Sequence, residues 1–151
     1  MDYQHILVAV DDSDVSVTAA EQAIILAKKL GSKVTLVSII SLDPLNNISF
    51  YGKSLSAMDY YSEAVSHAKE ILIALKLKFT TQGIVTDTKI LGNTSESHAI
   101  TELADELKID LIIMGSHGRI GFKKFALGSV AQSVLTASHV PVLIVKHTGS
   151  S

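Results

Sequence analysis

The sequence predicts one α/β domain, a parallel sheet of five strands with helices on both faces. Three observations predict it. Short apolar runs alternate with helix-period segments along the chain, the order expected when helices cover both sides of a parallel sheet. Most of the runs are continuously apolar, as in strands buried on both faces. At 151 residues the chain has the length of one ordinary domain, and no repeat, low-complexity tract or linker divides residues 1–151.

The elements follow in order. Ile6 to Val10 is a first strand, bounded by Asp11-Asp12-Ser13-Asp14. Those polar residues open a helix, where oxygens cap free amides and negative charge meets the positive dipole end. Val17, Ala20, Ala23, Ile24 and Ala27 mark its apolar face, and Gly31 ends it. Val34 to Ile40 is the second strand, followed by a loop over 41–53 that holds Pro44, Asn46, Asn47 and Gly52. A long helix is predicted from Ser54 to Phe79. Its stripe of Met58, Tyr61, Val65, Ala68, Leu72, Leu75 and Phe79 suits packing against the sheet or a partner helix. Ile84 to Leu91 is the third strand, ending at Gly92, and Ser95 to Leu107 a helix with Ala99, Ile100, Leu103, Ala104 and Leu107 on one face. Leu111 to Met114 is the fourth strand, running into Gly115; Val130, Val134 and Ala137 mark a last helix, and Val140 to Val145 the last strand. Right-handed crossovers connect such strands.

Composition removes several function classes. Hydrophobic residues are 47% and charged residues 19%, which excludes a disordered chain. Cys is 0, so neither a disulfide framework nor a thiolate metal site is possible. The start, Met1-Asp2-Tyr3-Gln4-His5, lacks the basic segment of a signal peptide. The mean hydropathy of +0.35 prompts a search for a membrane span. The 21-residue uncharged stretch from Phe125 to Val145 contains Gly128, Ser129, Gln132, Ser133, Thr136, Ser138, His139 and Pro141, too polar for a bilayer core. A cytoplasmic domain that does not enter membranes is the expectation.

The net charge of −2 is unevenly spread. All 15 acids lie in residues 1–110, which with nine Lys and Arg carry −6; residues 111–151 carry Arg119, Lys123, Lys124 and Lys146 without an acid, +4. A slightly acidic chain is not a general nucleic-acid binder. The basic stretch over 119–124 either holds a small polyanion or is a solvated loop.

Ligands of open α/β sheets bind beyond the carboxyl ends of the strands, where strand order reverses. Two such ends carry unusual chemistry, Asp11 after the first strand and Gly115 after the fourth. From Gly115 the chain runs through Gly118, Arg119, Lys123 and Lys124 to Gly128-Ser129. Glycines let main-chain amides approach an anion, and a helix opening at Ser129 offers free amides to phosphate. The same residues also suit a plainer role: glycines that shape a loop and a serine that caps a helix. Asp11 likewise is either a ligand acceptor or a helix-capping acid. The Walker pattern, G-x-G-x-x-G and G-x-S-x-G are all absent. His5, His67, His98, His139 and His147 show no metal spacing and are assigned surface or helix-end positions. His117, inside the glycine loop, either meets a phosphate or is exposed.

These motifs resemble those of the universal stress protein family. Gly115, two residues, Gly118, nine residues, Gly128-Ser129 fits the G-2x-G-9x-G-[ST] signature of its ATP-binding branch. Ile6-Leu7-Val8-Ala9-Val10-Asp11-Asp12-Ser13, Asp110 to Arg119, and Pro141 to Val145 are similar to its first, fourth and fifth strands. The resemblance implies strand order 3-2-1-4-5 and one bound adenine nucleotide, ATP, ADP or AMP, with Mg2+ as an optional companion. It implies that Asp11 accepts from the ribose hydroxyls, that the backbone near Ile39 reads the adenine edge, and that Ala9 and Val10 line the base pocket. Gly115 then lies near ribose and phosphates, while Gly118, Arg119, Gly128, Ser129 and Val130 hold the phosphates. It also implies a homodimer through the last strand, Val140 to Val145; the alternative is an edge blunted by Pro141 and Lys146.

The function expected is a nucleotide-dependent stress-response or signalling module. The alternative is a slow ATP hydrolase or phosphoryl-transfer protein, since no side chain stands out as a general base. A phospho-accepting receiver domain would share Asp11-Asp12 and Lys146, but it needs an acidic acceptor where the third strand here ends in Leu91-Gly92-Asn93.

Overall fold

Residues 2–42, 57–117 and 127–146 are described by a computed structural model of the chain. Five strands, β1 (His5–Ala9), β2 (Lys33–Ser41), β3 (Thr86–Asn93), β4 (Leu111–Gly115) and β5 (Val142–Val145), form one sheet in the order β3-β2-β1-β4-β5. All four pairings are parallel, with Ala9 opposite Val37 and Val8 opposite Ile113. The helices are α1 (Asp14–Leu30), α2 (Ala57–Thr80), α3 (Glu96–Glu106) and α4 (Ser129–Ala137). The fold class and strand order are as expected.

Alternation along the strands divides the core into two layers. Ile6, Val8 and Leu36 face one side and pack with Ala19, Ala23 and Ala27 of α1 and Leu72, Leu75 and Phe79 of α2. Leu7, Val37, Ile112 and Met114 face the other, against Ile100, Leu103 and Ala104 of α3 and Ala131 and Val134 of α4. Both faces are covered because the strand residues of either parity are apolar. Among the described residues no helix is long and apolar enough to cross a membrane.

Local chemistry sets the helix ends. Ser13 caps α1 by accepting from the Ser16 amide, and Gly31 closes it with φ 69°, a left-handed conformation that a side chain would strain. Ser95 caps α3 by accepting from the His98 amide. α4 differs: its cap position is Gly128, which has no side chain to offer.

Several expectations need correction. The inner face of α1 begins at Val15 and Ser16, and Val17 is exposed. In α2, Met58 is 83% and Tyr61 41% exposed, whereas Tyr60 is 3% exposed, so the buried stripe enters through Tyr60. Ala137 of α4 is exposed. β3 starts at Thr86, because the Ile84 amide turns back to the Phe79 carbonyl, 3.2 Å. β5 starts at Val142. The Ser138 hydroxyl donates to the Val140 carbonyl (2.7 Å) and accepts from its amide (3.0 Å), and Pro141 has no N–H, so neither residue extends the strand outward. His5 is not at the surface: it is 8% exposed, with Nε2 2.8 Å from Thr35 Oγ1. Burial, and then the Lys33 charge, hold its imidazole below the ordinary histidine range.

Candidate functional site

A cavity of about 340 Å³ opens beyond the carboxyl ends of β1 and β4, where the strand order reverses. That size is in the range of small-ligand pockets, roughly 300–1,000 Å³. Eight of the ten residues anticipated from sequence line it: Ala9, Val10, Asp11, Ile39, Gly115, Gly128, Ser129 and Val130. Gly118 and Arg119 lie outside the described residues, as do Lys123 and Lys124.

One end of the cavity is apolar. Val10, Ile39 and Ile40 approach from the sheet and Tyr60, Ala64, Ala68 and Ile71 from α2. The wall from α2 was not anticipated, since its stripe was assigned wholly to packing. The main chain supplies polarity here. In a parallel ladder the amide and carbonyl of one residue point to the same side, and the side alternates along the strand. The Lys33 amide donates to Gln4, and the Val37 carbonyl accepts from the Val10 amide at 2.8 Å. Ile39 therefore points its N–H and C=O to the same side, past the end of β1 and over the cavity.

The opposite end is built from amides. The Gly128 amide donates to the Ser116 carbonyl at 2.7 Å and brings the start of α4 against the end of β4. Among the described residues, the first turn of α4, Ser129 and Val130 included, presents its N–H groups without a side-chain cap. Ser129 is the first helical residue rather than the cap, so the capping role considered for it falls away. The glycines have an internal reason to be there. A Cβ on Gly115 would come 2.9 Å from Val15 Cγ1, and one on Gly128 would come 3.0 Å from the Ser116 carbonyl oxygen and 3.1 Å from His117 Cα. Close packing alone therefore disfavours a side chain at both positions.

Acids and histidines stand between the two ends. Asp11 Oδ1 accepts from the Ser13 amide (2.8 Å) and from the Ser13 hydroxyl, while the Asp11 amide donates to Ser16 Oγ at 2.8 Å. The α1 cap is thus Ser13, and Asp11 braces it from upstream. Asp12 Oδ2 lies 3.0 Å from His67 Nε2, joining the β1–α1 turn to α2 at the cavity. His67 thus has a charged partner that spacing did not show. His117 lines the cavity as well. Glu96, the first residue of α3, also lines it and is half-buried. Burial first, and the Asp11 carboxylate second, hold the Glu96 carboxyl above its ordinary range. Sequence reasoning did not single out Glu96, since nothing in the sequence links it to Asp11. His98 and His139 form exposed pairs with Glu102 and Asp105. Among the described residues no three His, Asp or Glu side chains converge as a metal site.

Comparison with known proteins gives a consistent result. The model of the universal stress protein family matches residues 2–146. A universal stress protein of Methanocaldococcus jannaschii is 32% identical over 145 residues, 95% of this chain and 82% of that protein. A universal stress protein solved in complex with cAMP is 25% identical, with a TM-score of 0.72 over 99% of this chain and 100% of the other. The universal stress protein of Archaeoglobus fulgidus in complex with dAMP is 26% identical, with a TM-score of 0.68 over 97% and 100% of the two chains.

Proposed function

Because the chain belongs to the universal stress protein family, and two of its structural relatives hold adenine nucleotides, we propose that its cavity binds one adenine nucleotide. ATP, ADP or AMP is the ligand, and its occupancy makes the chain a cytoplasmic stress-response or signalling module. The observation that carries this reading is the division of the cavity into an apolar end with free main-chain groups and an uncapped helix end.

The roles follow from that division. The base lies against Ala9 and Val10, with the Ile39 amide and carbonyl meeting its acceptor and donor edge. Asp11 accepts from the ribose. Gly115 lets the chain pass close to Val15 beside the sugar, and Gly128, Ser129 and Val130 hold phosphate with their amides. Gly118 and Arg119 complete the phosphate side. Mg2+ would supply charge screening for the phosphates, and no group of three acids or histidines among the described residues would hold it. The outer edge of β5, which no described strand pairs, supports a homodimer through the last strand.

Titration calorimetry with ATP and GTP tests the base assignment. Adenine offers a donor where guanine offers an acceptor, so ATP should bind roughly tenfold or more tightly. Equal affinity would refute the role of Ile39, and no heat with any adenine nucleotide would refute the function.

A further inference from the structure

Two carboxylates that line the cavity have unused acceptors. Asp11 spends Oδ1 on the amide and hydroxyl of Ser13, and its Oδ2 has no partner among the described residues. Glu96 makes no hydrogen bond or ion pair with them. It lines both this cavity and an adjoining cleft that also takes in Ser41, Ser129 and Val130. Burial and Asp11 both oppose its charge. A half-buried acceptor left unsatisfied is costly, and such groups are normally paired.

A ligand group that satisfies both acids must bring donors, and two adjacent donors at that. A cation is a poor match, since no third acid or histidine joins the pair among the described residues. A neutral vicinal diol matches. The position also suits one: the strand order sets Asp11, just past β1, between Ile39 of β2 on one side and the first turn of α4, which follows β4, on the other, and Glu96 lines the same cavity, so a sugar joining base and phosphate would lie beside the two acids.

We infer that Glu96 is a specificity-determining residue, which together with Asp11 accepts hydrogen bonds from the 2′- and 3′-hydroxyls of ribose and selects nucleotides with a free diol. This rests on the nucleotide reading above. Asp11 Oδ1 is already engaged by Ser13, and Glu96, on the lining of the same cavity, adds a second carboxylate, so that each hydroxyl can have its own acid.

Calorimetric titration of AMP, 2′-deoxy-AMP and 3′-deoxy-AMP into the wild type, Glu96→Ala and Glu96→Gln tests it. The wild type should prefer AMP over each deoxy form by roughly tenfold, the scale of a hydrogen bond to a charged group. Glu96→Ala should lose the preference for at least one hydroxyl, and Glu96→Gln, which keeps an acceptor oxygen, should retain part of it. An unchanged AMP-to-deoxy ratio in Glu96→Ala overturns the inference, as does a wild type that binds all three alike; in both cases nucleotide binding itself still stands. A wild type that binds none of the three overturns the nucleotide reading as well.

Discussion

Replacing Gly128 with Ala separates two reasons for a glycine at the start of α4. Its φ of −65° and ψ of 159° are open to any residue, so the main chain itself resists nothing. The contacts resist. The added Cβ would stand 3.0 Å from the Ser116 carbonyl oxygen, 3.1 Å from His117 Cα and 3.3 Å from His117 Cβ. The oxygen also accepts from the Gly128 amide at 2.7 Å, so retreat from the methyl stretches that bond. Overpacking of this kind costs about 1–3 kcal/mol. The helix start adds a few tenths or more, because Ala is a poorer cap than Gly. Urea denaturation without ligand should therefore show a loss of about 1–3 kcal/mol, and ATP affinity should fall as the Ser116–His117 turn moves. Wild-type stability combined with lost ATP binding would refute the reasoning, since the glycine would then serve ligand approach alone.

Four further outcomes are expected. Asp11→Ala should weaken ATP binding by about 1–3 kcal/mol in calorimetry and leave the affinity for inorganic triphosphate, which has no ribose, unchanged; equal losses would remove the ribose role. Glu96→Gln should raise the melting temperature of the free protein at neutral pH. The sign follows from the raised folded pKa: the carboxyl's favourable contribution is full below its ordinary value of 4.5 and is lost as pH rises through the folded value, so the gain should vanish in acid. ATP turnover, followed by phosphate release, should be slow and the same in wild type and His117→Ala; a clear drop in the variant would favour the hydrolase alternative. Ile144→Pro should yield monomers in sedimentation equilibrium without unfolding. Carbonyls of Pro141 and Val145 face β4, so the Ile144 amide points to the outer edge of β5, which no described strand pairs, and proline is tolerated at such an edge; a persisting dimer would place the interface elsewhere.

Most of the fold was legible because parallel strands are apolar on both faces. Leu7 and Ile6 serve opposite layers, yet both are needed as hydrophobes, and the run shows as a run. Helix phase was harder. Met58 and Tyr61 continue the period of Val65 as well as Tyr60 continues that of Ala64, and it is in the fold that Tyr60 packs with Ile40 and Ala68. Val17 failed for the same reason, since Val15 and Ser16 offered a competing phase. The start of β5 hinged on Ser138, whose hydroxyl captures the Val140 main chain, a local competition that apolar content conceals. In the site, residues within contiguous motifs such as Asp11 and Gly128 were recoverable. Glu96, Tyr60 and His67 were not, because each joins the cavity through tertiary contact with a segment far along the chain, Asp12 in the case of His67.

The cavity beyond β1 and β4 is proposed to retain an adenine nucleotide. Mass spectrometry of small molecules released when the purified protein is denatured addresses it without assuming a ligand. An adenosine phosphate is expected at close to one per chain, reduced in Asp11→Ala. A wild-type protein that releases no adenylate and takes none up after incubation with ATP would contradict it.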